Sequence, residues 1–260
     1  MIEDISRDIR KLGVKPGHVI MVHASLKKIG KVKDGAQGVL SAIEVVIGAN
    51  GTIMMVLGAA NDRAWVNDHP ADERAALLKG ATPFDAAKTP ADPEVGYLAE
   101  ALRLHPKALV SNHPEGRFAA LGARAAELLK NPPWDDYFGP GSPLDHLCQM
   151  KGGVLRLGAD PDTTTLTHFA EYLLPKMGKR RVVRHNLVSG SSGPKVRKTQ
   201  SLDDSEGIFD YAGEDYFADI LQAYLDAGHG TRGKVGNADS HFLETRGFVQ
   251  FAVQWMTKNL

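Results

Sequence analysis

Residues 153–172 read GVLRLGADPDTTTLTHFAEY. The first five are apolar apart from one arginine and follow a glycine, the pattern of a short buried strand. Asp160-Pro161-Asp162 breaks the strand and opens a helix, with Asp162 or Thr163 in position to cap it. A strand, a tight turn and a helix in this order belong to an α/β sheet, and such sheets collect ligands at the carboxyl ends of their strands. His168 falls just past such an end. Glu171 is three residues on and Thr164 four residues back, so all three can share one helix face. A carboxylate beside a histidine fixes its tautomer and leaves the other ring nitrogen outward to take a proton. The same spacing also serves an ordinary capped helix with one i, i+3 pair.

The flanking chain extends the pattern. Residues 2–12 place Ile2, Ile5, Ile9 and Leu12 at helical spacing, and Gly13 stops them. Pro16-Gly17 turns into an apolar strand at 18–23. A lysine-rich loop at 24–34 leads to a helix at 37–47 and a second buried strand at 52–57. Residues 61–93 are polar, with prolines at 70, 83, 90 and 93, and read as an excursion from the sheet. A helix at 95–104 precedes a strand-like piece at 108–111. Residues 182–198 alternate around Ser189-Gly190-Ser191-Ser192-Gly193, a hairpin signature. Helices fit 214–225 and 239–246, and 248–256 closes the chain as an apolar strand or helix. We expect one domain over residues 1–260.

Composition excludes several classes. Thirty-one basic residues balance thirty-one acidic ones, which argues against a generic nucleic-acid binder or a binder of anionic membranes. The single Cys148 excludes an internal disulfide framework, and its Leu-Cys-Gln-Met context reads as a helix interior holding an inert thiol. The first twenty residues lack the apolar centre of a signal peptide. The most apolar stretch, 36–60, carries Glu44 and is broken by Gly48-Ala49-Asn50-Gly51, so it does not span a bilayer. We expect a cytoplasmic protein, a monomer or a homodimer.

Other chemistry-bearing segments are individually weak. His23-Ala24-Ser25-Leu26-Lys27-Lys28 follows the first buried strand, where turn N–H groups and lysines suit a phosphate. The glycines of a P-loop or a dinucleotide fingerprint are missing, so a solvated basic loop is the competing reading. His113 reads as a structural hydrogen-bonding group. Ten histidines raise the question of a metal, but HExxH, CxxC and HxH are all absent, and no metal is expected. Asp203, Asp204, Glu206, Asp210, Glu214, Asp215 and Asp219 concentrate acid within one stretch. That suits a cradle for a polycation, or a solvated loop leading into a helix.

Together these segments are more specific. Leu12-Gly13-Val14, Pro16-Gly17, Val22-His23-Ala24-Ser25-Leu26 with Gly30, and 48–52 form one group. Phe84-Asp85 with Thr89-Pro90, 96–103, and Ser111-Asn112-His113-Pro114 with Ala120 and Gly122 follow. Residues 139–144, 152–158, the 164–171 run TTLTHFAE, Asp204-Ser205 and Gly233-Lys234-Val235-Gly236-Asn237-Ala238 complete the series. In this order the chain resembles the aminoglycoside 3-N-acetyltransferases, the antibiotic N-acetyltransferase family.

The resemblance implies an α/β/α layered sandwich around a mixed, largely buried sheet, distinct from the common acetyltransferase superfamily fold. It implies acetyl transfer from acetyl-coenzyme A to the 3-amino group of 2-deoxystreptamine antibiotics, and so resistance. His168 would be the general base, Glu171 its orienting partner and Thr165 a donor to the oxyanion. His23, Ser25, Leu26, Lys27, Lys28 and Ser111 would hold coenzyme A. Asp204 and Asp62 would face the drug. Two positions depart from the family: Val110 stands where an arginine is common, and Gly58-Ala59-Ala60 where an aromatic residue is common, with Trp65 a candidate substitute. The competing functions are an acetyltransferase for another amine, a His/Glu metallohydrolase and a non-catalytic coenzyme A binder.

Overall fold

The computed structural model describes residues 2–61 and 63–260. The chain begins with α1 (Ile2–Lys11), which Gly13 ends at φ +99°, a backbone angle that glycine adopts without strain. Then come β1 (Val19–Ala24), the single-turn α2 (Leu26–Ile29), α3 (Gly35–Ile47) and β2 (Thr52–Val56). The excursion carries a 3₁₀ turn at Ala64–Asp68 and α4 (Arg74–Leu77) before α5 (Tyr97–Arg103). Next are β3 (Leu109–Val110), β4 (Phe118–Gly122), α6 (Ala125–Leu128), α7 (Pro143–Gln149) and β5 (Gly153–Leu157). The rest is α8 (Leu166–Leu173), β6 (Arg181–Val188), β7 (Lys195–Leu202), α9 (Tyr216–Asp226), β8 (Thr231–Val235), β9 (Ala238–Glu244) and α10 (Thr245–Asn259).

Seven strands form one mixed sheet in the order β3-β4-β2-β1-β5-β9-β8. The central β1 runs parallel to β2 and β5, and the outer pairings are antiparallel. Each face has its own core. Ile20 and Val22 of β1 pack with Ile9 of α1, Ile43 of α3 and Leu98 of α5. Val19 and Met21 point the other way, to Leu147 of α7, Phe169 of α8, Ile220 of α9 and Phe248 of α10. The continuous apolar run at 18–23 has this cause: a strand covered on both faces loses the polar half of its alternation. The result is the layered α/β/α sandwich that the sequence led us to expect.

Three expectations need correction. Residues 239–246 are not a helix: β9 pairs with β8 across the two-residue Gly236-Asn237 turn, and the helix begins only at Thr245. Asp162 and Thr163 do not cap α8. They belong to a 3₁₀ turn at Pro161–Thr163, and Thr165 occupies the N-cap position without a side-chain cap bond. The lysine loop is interrupted by α2. The hairpin is present but lengthened to Arg181–Leu202, and it forms a separate two-stranded sheet. Phe84 of the excursion bridges to Val188 of that hairpin, so the two segments pack together over one end of the sandwich.

The excursion is tied down from below. Arg117 is fully buried and donates to the carbonyls of Ala86 (2.7 Å), Thr89 (2.8 Å) and Pro90 (3.2 Å). Among the described residues, carbonyl oxygens take the place of a carboxylate partner.

Candidate active site

α8 starts directly behind the carboxyl end of β5, so its first turn faces the strand ends. His168 and Glu171 lie one turn apart on it, with Nδ1 2.9 Å from Oε2. Glu171 is buried, and its other oxygen accepts a hydrogen bond from the Tyr216 hydroxyl at the start of α9. The Lys179 ammonium donates to the carbonyls of Glu171 and Leu174, both at 2.8 Å, and closes the carboxyl end of α8. Phe138 stacks on the imidazole at 5.1 Å and 11°, and Phe217 meets it edge-on at 4.7 Å. The ring is therefore held in one orientation, with Nδ1 committed to Glu171 and Nε2 unbonded among the described residues. Burial alone pulls the basicity of His168 down. The Glu171 hydrogen bond and charge, aided by Asp204, more than offset this, so its pKa lies above the usual value of 6.5.

Two clefts meet at this ring. The first, about 490 Å³, runs along the carboxyl end of β1 and is lined by His23, Ser25, Leu26, Lys27 and Thr165 as well as His168. Its opposite wall is Glu94, Val95, Gly96 and Tyr97. The second, about 470 Å³, is lined by His168 together with Asp162, Asp204, Glu206, Asp210, Glu214 and Asp215, against the single cation Arg180. Phe217 and Asp162 belong to both. Dispersed acids at 204–215 thus converge on one wall, where an ordinary solvated loop would scatter them.

The structure brings most expected residues together. Lys27 lines the first cleft, whereas Lys28 turns aside to pair with Asp160. Gly158 permits this approach: a Cβ there would lie 2.9 Å from the Lys28 Cβ, and φ is +65°. The Ser25 N–H is already bonded to Leu157 O at 2.9 Å, so the turn offers fewer free N–H groups than the sequence suggested. Ser111 lies outside both clefts. It is buried, and its hydroxyl accepts the Phe118 N–H at 2.8 Å, locking β3 to β4. Asp62 lies outside the described residues. Trp65 meets His69 edge-on at 5.4 Å and lines neither cleft, so it does not fill the aromatic position. Gly58, Ala59 and Ala60 instead line a third pocket of about 330 Å³ with Glu115, Arg184 and Ser205.

Asp204 is half-buried and engaged. Tyr137 OH donates to Oδ2 at 2.7 Å, and Arg184 Nη2 lies 2.6 Å from Oδ1. Asp203 turns inward: its Oδ1 accepts from the Ser205 N–H, the Ser205 hydroxyl and the Glu206 N–H. Burial opposes its ionisation, but these donors prevail and keep its pKa low. His113 bonds Trp134 O at 2.8 Å and accepts the Gly116 N–H at 2.8 Å, and burial pushes its pKa down to about 4, the structural role expected for it. Cys148 is buried, with its thiol pushed up to about 12 by burial. Sequence reasoning missed Phe138, Tyr137, Arg184, Tyr216, Phe217 and the 94–97 wall. Only Gly96, in a left-handed conformation at φ +83°, left a local trace.

The sequence profile of the aminoglycoside 3-N-acetyltransferases matches residues 21–257. The chain belongs to that family. It is 37% identical to aminoglycoside N(3)-acetyltransferase VII of Streptomyces paromomycinus, over 98% of this chain and 91% of that protein. The solved structure of AAC-IIIb in binary complex with CoASH superposes with a TM-score of 0.93 at 31% identity, covering 99% of this chain and 96% of that one. A sisomicin-bound AAC-VIa structure superposes at 0.90 and 30% identity, covering 98% and 97%. As a member of the family, the chain is an acetyltransferase, and the α/β/α sandwich is the family fold. Among its described residues no helix is long and apolar enough to cross a membrane.

Proposed function

We propose that the protein moves the acetyl group of acetyl-coenzyme A to the 3-amino group of a 2-deoxystreptamine aminoglycoside, with His168 as general base, and thereby confers resistance. The observation that carries this reading is the meeting of an open cleft and an acidic cleft at one Glu-anchored imidazole. Acetyl-coenzyme A fits the first cleft, its thioester beside His168 and Thr165 and its phosphates toward Lys27. The polycationic drug fits the second, among the carboxylates.

The chemistry then follows from the geometry. An aminoglycoside ammonium must lose a proton before it can attack. That proton goes to solvent; His168 Nε2 then takes a second one from the amine nitrogen as it attacks, while Glu171 holds the imidazolium that forms. The amine nitrogen bonds to the thioester carbon, and the carbonyl oxygen becomes an oxyanion that the Thr165 hydroxyl can meet. Collapse breaks the carbon–sulfur bond, and His168 returns the proton to the departing thiolate. The products are the N-acetylated drug and free coenzyme A. We expect the enzyme to work as a monomer or a homodimer. Dependence on acetyl-coenzyme A, an intracellular metabolite, supports a cytoplasmic reaction.

A panel of aminoglycosides in a thiol-release assay, with the acetylated nitrogen located by NMR, tests this. Turnover on deoxystreptamine drugs at the 3-amino group is expected. Turnover confined to some other amine would move the protein to a biosynthetic acetyltransferase.

A further inference from the structure

Arg156 is a fully buried charge that the mechanism above does not use. It sits in β5, next to the central β1, with no exposure, and it has no carboxylate partner among the described residues. Among the described residues only Nη2 is used, bonded to the carbonyls of Ala159 (3.3 Å) and Asp160, while Nε and Nη1 have no partner. In the sheet register Arg156 pairs with His23 of β1 on one side and His241 of β9 on the other. All three side chains therefore stand on the face that α8 covers.

His23 is the second orphan. The residue is 7% exposed and lines the first cleft, yet Nε2 is sealed from solvent with no hydrogen bond among the described residues. A buried imidazole beside a guanidinium cannot carry its own charge. Burial, reinforced by Arg156, holds its pKa down to about 3. His241 is held at about 4 by burial and then Arg156, so it too is neutral and adds no second charge beside the guanidinium. The neighbouring carboxylates are Asp160 and Asp162 on the loop above.

We propose that Arg156 is a positioning residue that acts through His23, keeping its Nε2 as the inward lone pair so that a neutral Nδ1–H donor faces the acyl end of the coenzyme cleft. A neutral N–H there meets the thioester oxygen as it becomes an oxyanion, complementing Thr165 without offering a proton that competes with His168. A cation is the neighbour that selects this tautomer, because guanidinium has donors and no acceptor. The inference rests on the acetyl-transfer reading for its purpose, but not for its test.

The test is the tautomer itself. Histidine-selectively ¹⁵N-labelled full-length protein, with His23 assigned by loss of its signals in H23N, gives long-range imidazole spectra that need no substrate. The expected wild-type result is a neutral Nδ1–H ring that does not titrate between about pH 5 and 8. R156K should keep that tautomer, and R156M should shift it toward Nε2–H. In acetyl transfer, H23N places an amide nitrogen near the Nδ1 position and H23Q near the Nε2 position. H23Q should therefore lose about 100-fold in kcat, as for loss of an oxyanion donor, and H23N about 10-fold or less. A wild-type Nε2–H ring, an unchanged tautomer in folded R156M, or H23Q outperforming H23N overturns the proposal. Should R156M fail to fold, the wild-type spectrum and the ordering of the two His23 variants still decide. Absence of aminoglycoside turnover with an Nδ1–H ring would count against the acetyl-transfer reading alone.

Discussion

Glu171 grips His168 from one turn further along α8, its Oε2 2.9 Å from Nδ1, while its second oxygen is held by the hydroxyl of Tyr216. The carboxylate is thus satisfied at both oxygens, and the imidazole is left one free nitrogen, directed where the two clefts join.

Replacing His168 with alanine should lower kcat by about 10²–10⁴-fold, the usual span for loss of a general base. Coenzyme affinity, measured by calorimetry, should hardly move. Wild-type turnover in the variant would remove His168 from the mechanism. Glu171→Gln should cost less, because the amide orients the ring but does not transfer the proton.

The pH profile carries a second consequence. Since the charge of Glu171 raises the pKa of His168, the active neutral base is populated only above the ordinary histidine range. The acidic limb of kcat/KM should therefore lie above pH ~6.5 in the wild type and move to lower pH in Glu171→Gln. A limb that stays put or moves up in the variant would mean that another group titrates.

For the coenzyme, Lys27→Ala should raise KM for acetyl-coenzyme A more than KM for the drug. The effect should shrink as salt rises. Lys28→Ala should do less, because Lys28 already answers Asp160. Equal effects at low ionic strength would show that the Asp160 pair opens in solution.

Asp204→Asn should cut kcat/KM for the drug by about 10- to 100-fold, as expected for a charge-assisted contact to an ammonium. Asp203→Asn should instead lower thermal stability, since its oxygen gathers three donors of its own turn. Steady-state kinetics and a melting curve on both variants separate the roles. Drug kinetics impaired by Asp203→Asn alone would show that the wrong carboxylate has been assigned.

Arg117→Met leaves the carbonyls of Ala86, Thr89 and Pro90 without their donor. The loss should be about 3 kcal/mol, read by urea unfolding. Hydrogen exchange should quicken across residues 86–90 first, and uniform protection there would contradict this account.

Local spacing decided a great deal of this protein. The strand-turn-helix of 153–172, the i, i+3 relation of His168 and Glu171, and the apolar runs of β1 and β5 are all properties of neighbours in sequence. A helix face and a strand covered on both sides announce themselves at periods of a few residues. The β8–β9 hairpin is not legible in residues 239–246, which mix polar and apolar positions in a way that suits either period, because strand pairing is a long-range choice. Tertiary structure alone decided who surrounds His168. Phe138 comes from one distant segment and Tyr216 and Phe217 from the start of α9, and the acids at 204–215 become a cleft wall only when that stretch folds against α8. It alone revealed that Ser111 serves the β3–β4 pair, that Lys28 is spent on Asp160, and that Asp204 already faces Arg184. The register of β5 between β1 and β9 likewise set a lone guanidinium between two histidines. The physical reason is common to all of these: hydrogen bonds and ion pairs between remote segments depend on which strand ends meet in space, and sequence separation carries no record of that distance.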